Sequence, residues 1–328
     1  MTQTVHVVCD LCGSDNADPI CQSRDFSEDS PDSFTIVRCR GCGLCYQSPR
    51  PVDLMPFYRR LSFPLLSDIA AGACSGTELT GLAAVYTNVV KRIVPLRTGR
   101  LLDIGCADGA FLVAMARSGW DVYGVEPNEA VARQANLRLK QFRSSRVFCG
   151  VLEEAGYVSG YFDLITLWHV IEHLPHPLAT LREVRRLLRP GGQVIILTPR
   201  WGSLESLLFG RYWSGLDLPR HLWFFDDCSL QLLIERAGMT VTQRLRHPGY
   251  DQLSLSVLFL LRARFGVSVS MGVFRLMHTS LVKRVGLRLI SLIDNTGLGT
   301  QMLYVAACEA PDNRVQQGTT PKEVPGLL

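Results

Sequence analysis

The sequence predicts an α/β fold, a doubly wound and largely parallel sheet preceded by a small cysteine-rich ribbon. Three observations carry that expectation. From residue 98 onward, short apolar runs alternate with helix-patterned stretches, as in repeated βα units. The first run, Leu101-Leu-Asp-Ile104, opens into Gly105-Cys-Ala-Asp-Gly109 and the apolar start Ala110-Phe-Leu112. In such a sheet that stretch meets a nucleotide-like ligand. Ahead of it stand two copies of one device, Cys9-Asp-Leu-Cys12-Gly13 and Cys39-Arg-Gly-Cys42-Gly43.

The bulk properties bound the function. A chain of 328 residues has room for about two domains. Net charge is +4, too mild for a general nucleic-acid binder. Met1 to Asp10 lacks the charged start and apolar centre of a secretory signal, so the expectation is a cytoplasmic protein. The longest apolar run, Leu253 to Leu261, falls far short of the ~20 residues of a membrane span. Eleven cysteines in a reducing compartment favour metal ligation over disulfides.

Residues 1–50 read as a zinc ribbon. Each glycine after a C-x-x-C pair lets the backbone curl so that both sulfurs face one point. The 26 residues between the pairs include the strand-like Phe34-Thr-Ile-Val-Arg38. Cys9, Cys12, Cys39 and Cys42 fill a tetrahedral Zn²⁺ shell, a structural site with no open position for chemistry. Cys21 and Cys45 are left as free thiols. Asp18, Asp25, Glu28, Asp29 and Asp32 make the middle of the segment acidic, which argues against phosphate and against a nucleic-acid partner.

Residues 51–97 read as a linker with leading helices. Ser48-Pro-Arg-Pro51 is a stiff exit. A partly helical stretch over 52–70 is broken by Pro56 and Pro64, and Ala70 to Gly81 reads as a mobile loop. Leu82 to Val94 has the spacing of an amphipathic helix.

The principal domain is expected over 98–310. Strand one is 101–104, and the helix from Ala110 offers free N–H groups to a ligand. The turn is D-x-G-x-x-x-G, without the middle glycine of a pyrophosphate-binding turn. That argues against a nicotinamide dinucleotide. Asp103 can pair with an ammonium group or orient the turn. Strand two, 121–125, ends at Glu126, placed for ribose hydroxyls. Strand three is 147–149, followed by Gly150-Val151-Leu152. Strand four, 162–167, runs into Trp168-His169-Val-Ile-Glu172-His173. A helix over 178–188 stops at Arg189-Pro-Gly-Gly192, and strand five is 193–197. Strand six is 239–245 and strand seven 301–307.

Asp103-Ile-Gly-Cys-Ala-Asp-Gly109, Glu126, His169-Val-Ile-Glu-His173 and Leu188-Arg-Pro-Gly-Gly192 resemble, in order, the motifs of class I S-adenosylmethionine-dependent methyltransferases. The ubiquinone-biosynthesis type O-methyltransferases are the nearest subgroup. The cysteine pairs and Tyr46-Gln-Ser-Pro-Arg-Pro51 resemble the zinc-ribbon-bearing methyltransferases of glycan and natural-product pathways. The resemblance implies a seven-stranded Rossmann-like sheet that binds S-adenosyl-L-methionine. Asp103, Gly105, Cys106, Ala107 and Gly109 would cradle its methionine part, the middle two by backbone alone. Glu126 would hold the ribose, Val151 and Leu152 would border the adenine, and Leu167 would line the site. The acceptor would be a small-molecule hydroxyl, on a sugar, a lipid-linked glycan or a natural-product intermediate.

His169 stands where α/β ligand sites open and can take the proton of an acceptor hydroxyl, or else pack against the cofactor. Glu172 and His173 can share a helical face with it, as orienting groups or as a metal trio. His221, after the aromatic loop with Trp201, Phe209, Tyr212 and Trp213, is a second catalytic candidate. The alternative is a scaffold protein whose methyltransferase domain is degenerate and needs no base.

About 50 residues separate strands six and seven, and Arg246 to Ile293 holds seven Arg and Lys with one acidic residue, Asp251. Four uses stay open for this insertion: a helical lid, a homodimer interface, a basic amphipathic surface in peripheral contact with anionic lipid at the inner face of a membrane, or helices packed on the core. Pro311 to Leu328 reads as a disordered tail.

Overall fold

The computed structural model describes residues 3–26, 32–59, 81–96, 98–142 and 145–308. The expected loop over 70–81, apart from Gly81, which opens a helix, most of the broken helical stretch before it and the expected disordered tail lie outside them.

The ribbon comes first. β1 (Thr4–Val5) pairs antiparallel with β5 (Arg50–Pro51), and β2 (Ala17–Arg24), β3 (Ser33–Cys39) and β4 (Cys45–Gln47) form an antiparallel meander. A short α1 (Met55–Arg59) follows. α2 (Gly81–Ile93) is the expected amphipathic helix, burying Ala83, Thr87 and Val90.

The main sheet uses β6 (Arg100–Ile104), β7 (Asp121–Glu126), β8 (Arg146–Cys149), β9 (Phe162–Trp168), β10 (Leu188–Pro199), β12 (Thr240–His247) and β13 (Gln301–Ala307). Its spatial order is β12-β13-β10-β9-β6-β7-β8. The five strands from β6 to β10 are parallel, while β13 inserts antiparallel between β10 and β12. β6 is thus central, with α3 (Ala110–Arg117) and α4 (Glu129–Leu139) leaving that half of the sheet. Alternate residues of one strand go to opposite layers. Val194 and Ile196 pack with α5 (Pro177–Leu187) and α7 (Asp227–Arg236), and Ile195 and Leu197 pack with α2 and α3.

Arg189-Pro-Gly-Gly192 does end a helix, but the chain does not leave the sheet there. β10 already pairs with β9 at Leu188, and the register shifts before Gln193, a β-bulge. A Cβ at Gly192 would stand 2.9 Å from the Arg189 carbonyl oxygen and 3.0 Å from that of Phe162, so the bulge needs glycine.

The ribbon does not sit apart from this sheet. Its Leu11, Val37, Leu44 and Tyr46 share one apolar cluster with Ile165, Val194 and Leu233. The segment after β10 carries α6 (Leu204–Phe209) and then β11 (Trp223–Phe224), which pairs with β4 and becomes the fourth strand of the ribbon sheet. Asp10, inside the first cysteine pair, accepts the Leu178 N–H at 2.8 Å and so caps α5. Most of the aromatic loop covers apolar surface: Trp213 is buried with Phe34, Leu216 and Phe224.

The insertion forms two helices, α8 (Tyr250–Met277) and α9 (Ser280–Asn295). α8 breaks at Gly266, whose φ is +82°.

Candidate active site

The glycine turn after β6 is built from backbone. Gly105 and Cys106 donate their N–H groups to the Val125 carbonyl at 2.8 and 3.1 Å, tying the turn to β7. Gly105 and Gly109 have φ of +68° and +75°, and Ala107 joins them in the left-handed region at +47°. A Cβ on Gly105 would strike Val170 at 2.6 Å, so the turn and the loop after β9 touch. Cys106 is buried, its sulfur 2.6 Å from where a Gly124 side chain would begin. It packs inward, leaving its backbone to the turn.

Two carboxylates flank the turn. Asp103, near the C-terminal end of β6, is buried and accepts the Thr166 hydroxyl at 2.6 Å. Burial pushes its carboxyl up to about 8, against the pull of that hydrogen bond. Glu126 closes β7 and bends back over the turn. Its Oε2 accepts the Ala107 N–H at 3.2 Å and its Oε1 the Asn128 N–H at 2.9 Å. Burial raises this carboxyl as well, with the two N–H groups opposing. Leu152 is buried in the turn after β8, Val151 beside it is exposed, and Leu167 is fully buried in β9. Trp168 stacks on Tyr86 of α2 with centroids 4.4 Å apart and takes the edge of Phe111.

Beyond Trp168 the chain turns sharply. His169 has φ of +54°, a left-handed conformation uncommon outside glycine, held by its N–H to the Leu197 carbonyl at 2.8 Å. Its Nδ1 lies 3.4 Å from Glu172 Oε1, too long for a close hydrogen bond and an ion pair only when the imidazole is protonated. Glu172 is 1% exposed, and its Oε2 accepts the Thr198 hydroxyl at 2.9 Å. Burial would raise its carboxyl, but His169, followed by the charges of His221 and His173, outweighs burial and holds it at about 2.

Residues 169–173 do not form a helical face: only Ile171–His173 is helical, a single 3₁₀ turn. His173 therefore points away from His169. Its Nδ1 is 3.0 Å from both the Arg220 carbonyl and the Tyr58 hydroxyl. Burial, then the charge of His221, pulls this imidazole down to about 4, so it is neutral at neutral pH. Its ring meets the edge of His221 at 4.5 Å. His221 donates from Nδ1 to the Gly215 carbonyl at 2.8 Å, which turns Nε2 toward Glu172 Oε1, 4.0 Å away, and Asp217 Oδ2, 3.8 Å away. The groups gathered within 4.8 Å are thus Glu172, His173 and His221, in place of the trio His169, Glu172 and His173.

Tyr58, Asp217, Arg220 and the Gly215 carbonyl were not singled out in the sequence. Asp217 and Arg220 carried a weak signal, opposite charges three apart beside His221. Arg220 pairs with Asp217 at 2.6 Å and with Asp25 of the ribbon at 2.9 Å, and both the Arg220 and Asp25 side chains are 1% exposed.

The four ribbon cysteines converge as expected. Cys9 and Cys42 sulfurs are 3.4 Å apart, as are those of Cys12 and Cys39, and all four lie within 4.8 Å of one another. Four sulfurs around Zn²⁺ at ~2.3 Å stand about 3.8 Å apart, so the donor set fits. Gly13 and Gly43, at φ of +74° and +79°, return N–H groups to the Cys9 and Cys39 carbonyls.

A glycine turn between a central strand and its helix, an acidic residue ending the next strand, and an antiparallel last strand inserted at the sheet's edge together define the class I S-adenosylmethionine-dependent methyltransferase fold. Residues 80–244 match the methyltransferase domain family, half of the sequence, and the chain belongs to that family. It is an enzyme class that uses S-adenosylmethionine as methyl donor. The chain is 32% identical over 172 residues to the ubiquinone biosynthesis O-methyltransferase of Cereibacter sphaeroides, covering 50% of this chain and 69% of that one. Against the Pseudomonas aeruginosa protein of the same name it is 35% identical over 101 residues, covering 30% and 44%. Among solved structures, Haemonchus contortus phosphoethanolamine N-methyltransferase 2 superposes with a TM-score of 0.51 at 19% identity, covering 81% of this chain and 62% of that one. The [4+2]-cyclase SpnF does so at 0.51 and 16%, covering 76% and 92%. These two show the fold, which carries more than one chemistry. Among the described residues, no helix is long and apolar enough to cross a membrane.

Proposed function

We propose that the protein transfers the methyl group of S-adenosylmethionine to a hydroxyl of a small-molecule acceptor, with His169 as general base. One observation carries this: at the end of β9, on strained backbone beside the cofactor turn, His169 faces a buried carboxylate braced by Thr198. With Nδ1 held toward Glu172, Nε2 is the nitrogen left for the acceptor. Methyl transfer from a sulfonium needs little activation. The enzyme aligns the attacking oxygen with the S–CH₃ bond and removes its proton as the C–O bond forms. Asp103 and Gly105–Gly109 hold the methionine part, Glu126 the ribose, and Val151, Leu152 and Leu167 the adenine side. His221, fixed by Gly215, lines the acceptor side. The relatives' shared name supports oxygen as the acceptor atom. In the ribbon, a structural Zn²⁺ on Cys9, Cys12, Cys39 and Cys42 cross-links the two turns.

The acceptor being unidentified, a panel of sugar, phenol and lipid-linked hydroxyls with radiolabelled donor is the assay. His169→Ala should lower kcat by about 10²–10⁴ while leaving cofactor affinity within a few-fold, the range for one general base. A variant with unchanged kcat across pH would remove His169 from the chemistry. A requirement for Mg²⁺ would favour a cation on Glu172, His173 and His221 instead.

A further inference from the structure

We propose that α9 and the second half of α8 form a docking surface for an anionic lipid bilayer. On most surface helices the apolar stripe faces the core. On α9 it faces out. Leu281, Val285, Leu289 and Leu292 recur at helical spacing along one side and are 49–73% exposed. Ile290, on the opposite side, is buried. Phe265 is exposed just before the break at Gly266, and past it α8 adds Val267, Val269 and Leu276, all exposed, while its first half buries Leu258 and Phe259 against the body.

Charge decides the occupant. The hairpin, residues 250–295, holds Arg262, Arg264, Arg275, Lys283, Arg284 and Arg288 against Asp251, which pairs with Lys283 at 3.1 Å, and Asp294. The remaining sequence then has 28 Lys and Arg against 28 Asp and Glu, so the net positive charge of the chain is concentrated in this hairpin. Arg284 and Arg288, one turn apart, border the apolar stripe of α9. A second copy docking through the same face would set like charges against each other. A negatively charged bilayer satisfies both features: apolar side chains enter the headgroup boundary while arginines meet lipid phosphates. The surface is anchored to the body, since Ser256 accepts the Ser214 N–H at 2.9 Å and the Gln252 carbonyl accepts the Ser214 hydroxyl at 2.9 Å. This inference does not depend on which acceptor is methylated.

The test is co-sedimentation of the full chain with vesicles of phosphatidylglycerol and phosphatidylcholine, against phosphatidylcholine alone, at low and high salt. Binding is expected only to the anionic vesicles, weakening as salt screens it. Each arginine lost from Arg284 and Arg288 should weaken partitioning about fivefold. The double variant Leu281→Ser, Leu289→Ser should abolish binding with its circular dichroism unchanged, since both side chains lie in solvent. No binding at low salt, or binding that neither the arginine nor the leucine variant alters, would overturn the proposal. So would a dimer that the leucine variant splits, without vesicle binding.

Discussion

If Asp103 meets the ammonium of the donor as proposed, the cofactor site is coupled to pH. Its carboxyl ordinarily titrates near 3.8, and burial raises it to about 8, so the folded chain holds a proton there that the unfolded chain releases. The sign follows from linkage: folded Asp103 binds more protons between those two values, so its contribution to stability falls as pH rises through that window. A cationic amino group bound beside it favours the ionised form. Affinity for S-adenosylhomocysteine should therefore rise with pH up to about 8, with proton release visible as a buffer-dependent calorimetric heat. Asp103→Asn should flatten that dependence, and an unchanged pH profile would show that Asp103 does not meet the ammonium. At this scale the sequence was legible where chemistry is local. The turn glycines, Asp103 and Glu126 are named by spacing along one chain segment. The positive φ of His169 carries no such mark, because only glycine announces a left-handed position by its identity.

Among the elements, the strands of the main sheet could be read in order because each is a short apolar run ended by a glycine turn or a polar helix start. The pairing β11–β4 could not, since five strands of the main sheet separate Tyr46 from Trp223 in sequence. The bulge at Gly191–Gly192 was hidden for a similar reason: a Pro-Gly-Gly after a helix reads as a stop, and only pairing with β9 shows the strand running through it. The ribbon turns give the prediction at this scale. Metal analysis of purified protein should find about one Zn²⁺ per chain, and Cys39→Ser should lose it. Because Asp10 caps α5 from inside the same turn, metal loss should also destabilise the methyltransferase domain. Thermal unfolding after chelation measures this, and an unshifted Tm would separate the two.

For the whole molecule, the ribbon and the sheet behave as one cooperative body if the Arg220–Asp25 pair does what its burial implies. The partners are 195 residues apart in sequence, which is why no local pattern revealed them. Removing one partner leaves a buried charge, so Arg220→Ala should cost about 3–5 kcal/mol of unfolding free energy. It should also release His173 and His221, whose positions depend on the backbone from Gly215 to Arg220. A loss under about 1 kcal/mol, the range of exposed pairs, would mean the ribbon is only loosely attached.

The proposed methyl transfer depends on a methionine-and-ribose cradle spanning Asp103 to Glu126, and calorimetry of S-adenosylhomocysteine with the native chain and Glu126→Ala tests it most directly. The native chain should bind. The variant, which loses charge-assisted hydrogen bonds worth about 1.5–3 kcal/mol each, should bind at least tenfold more weakly. No binding by the native chain, or equal affinity in the two proteins, would contradict it.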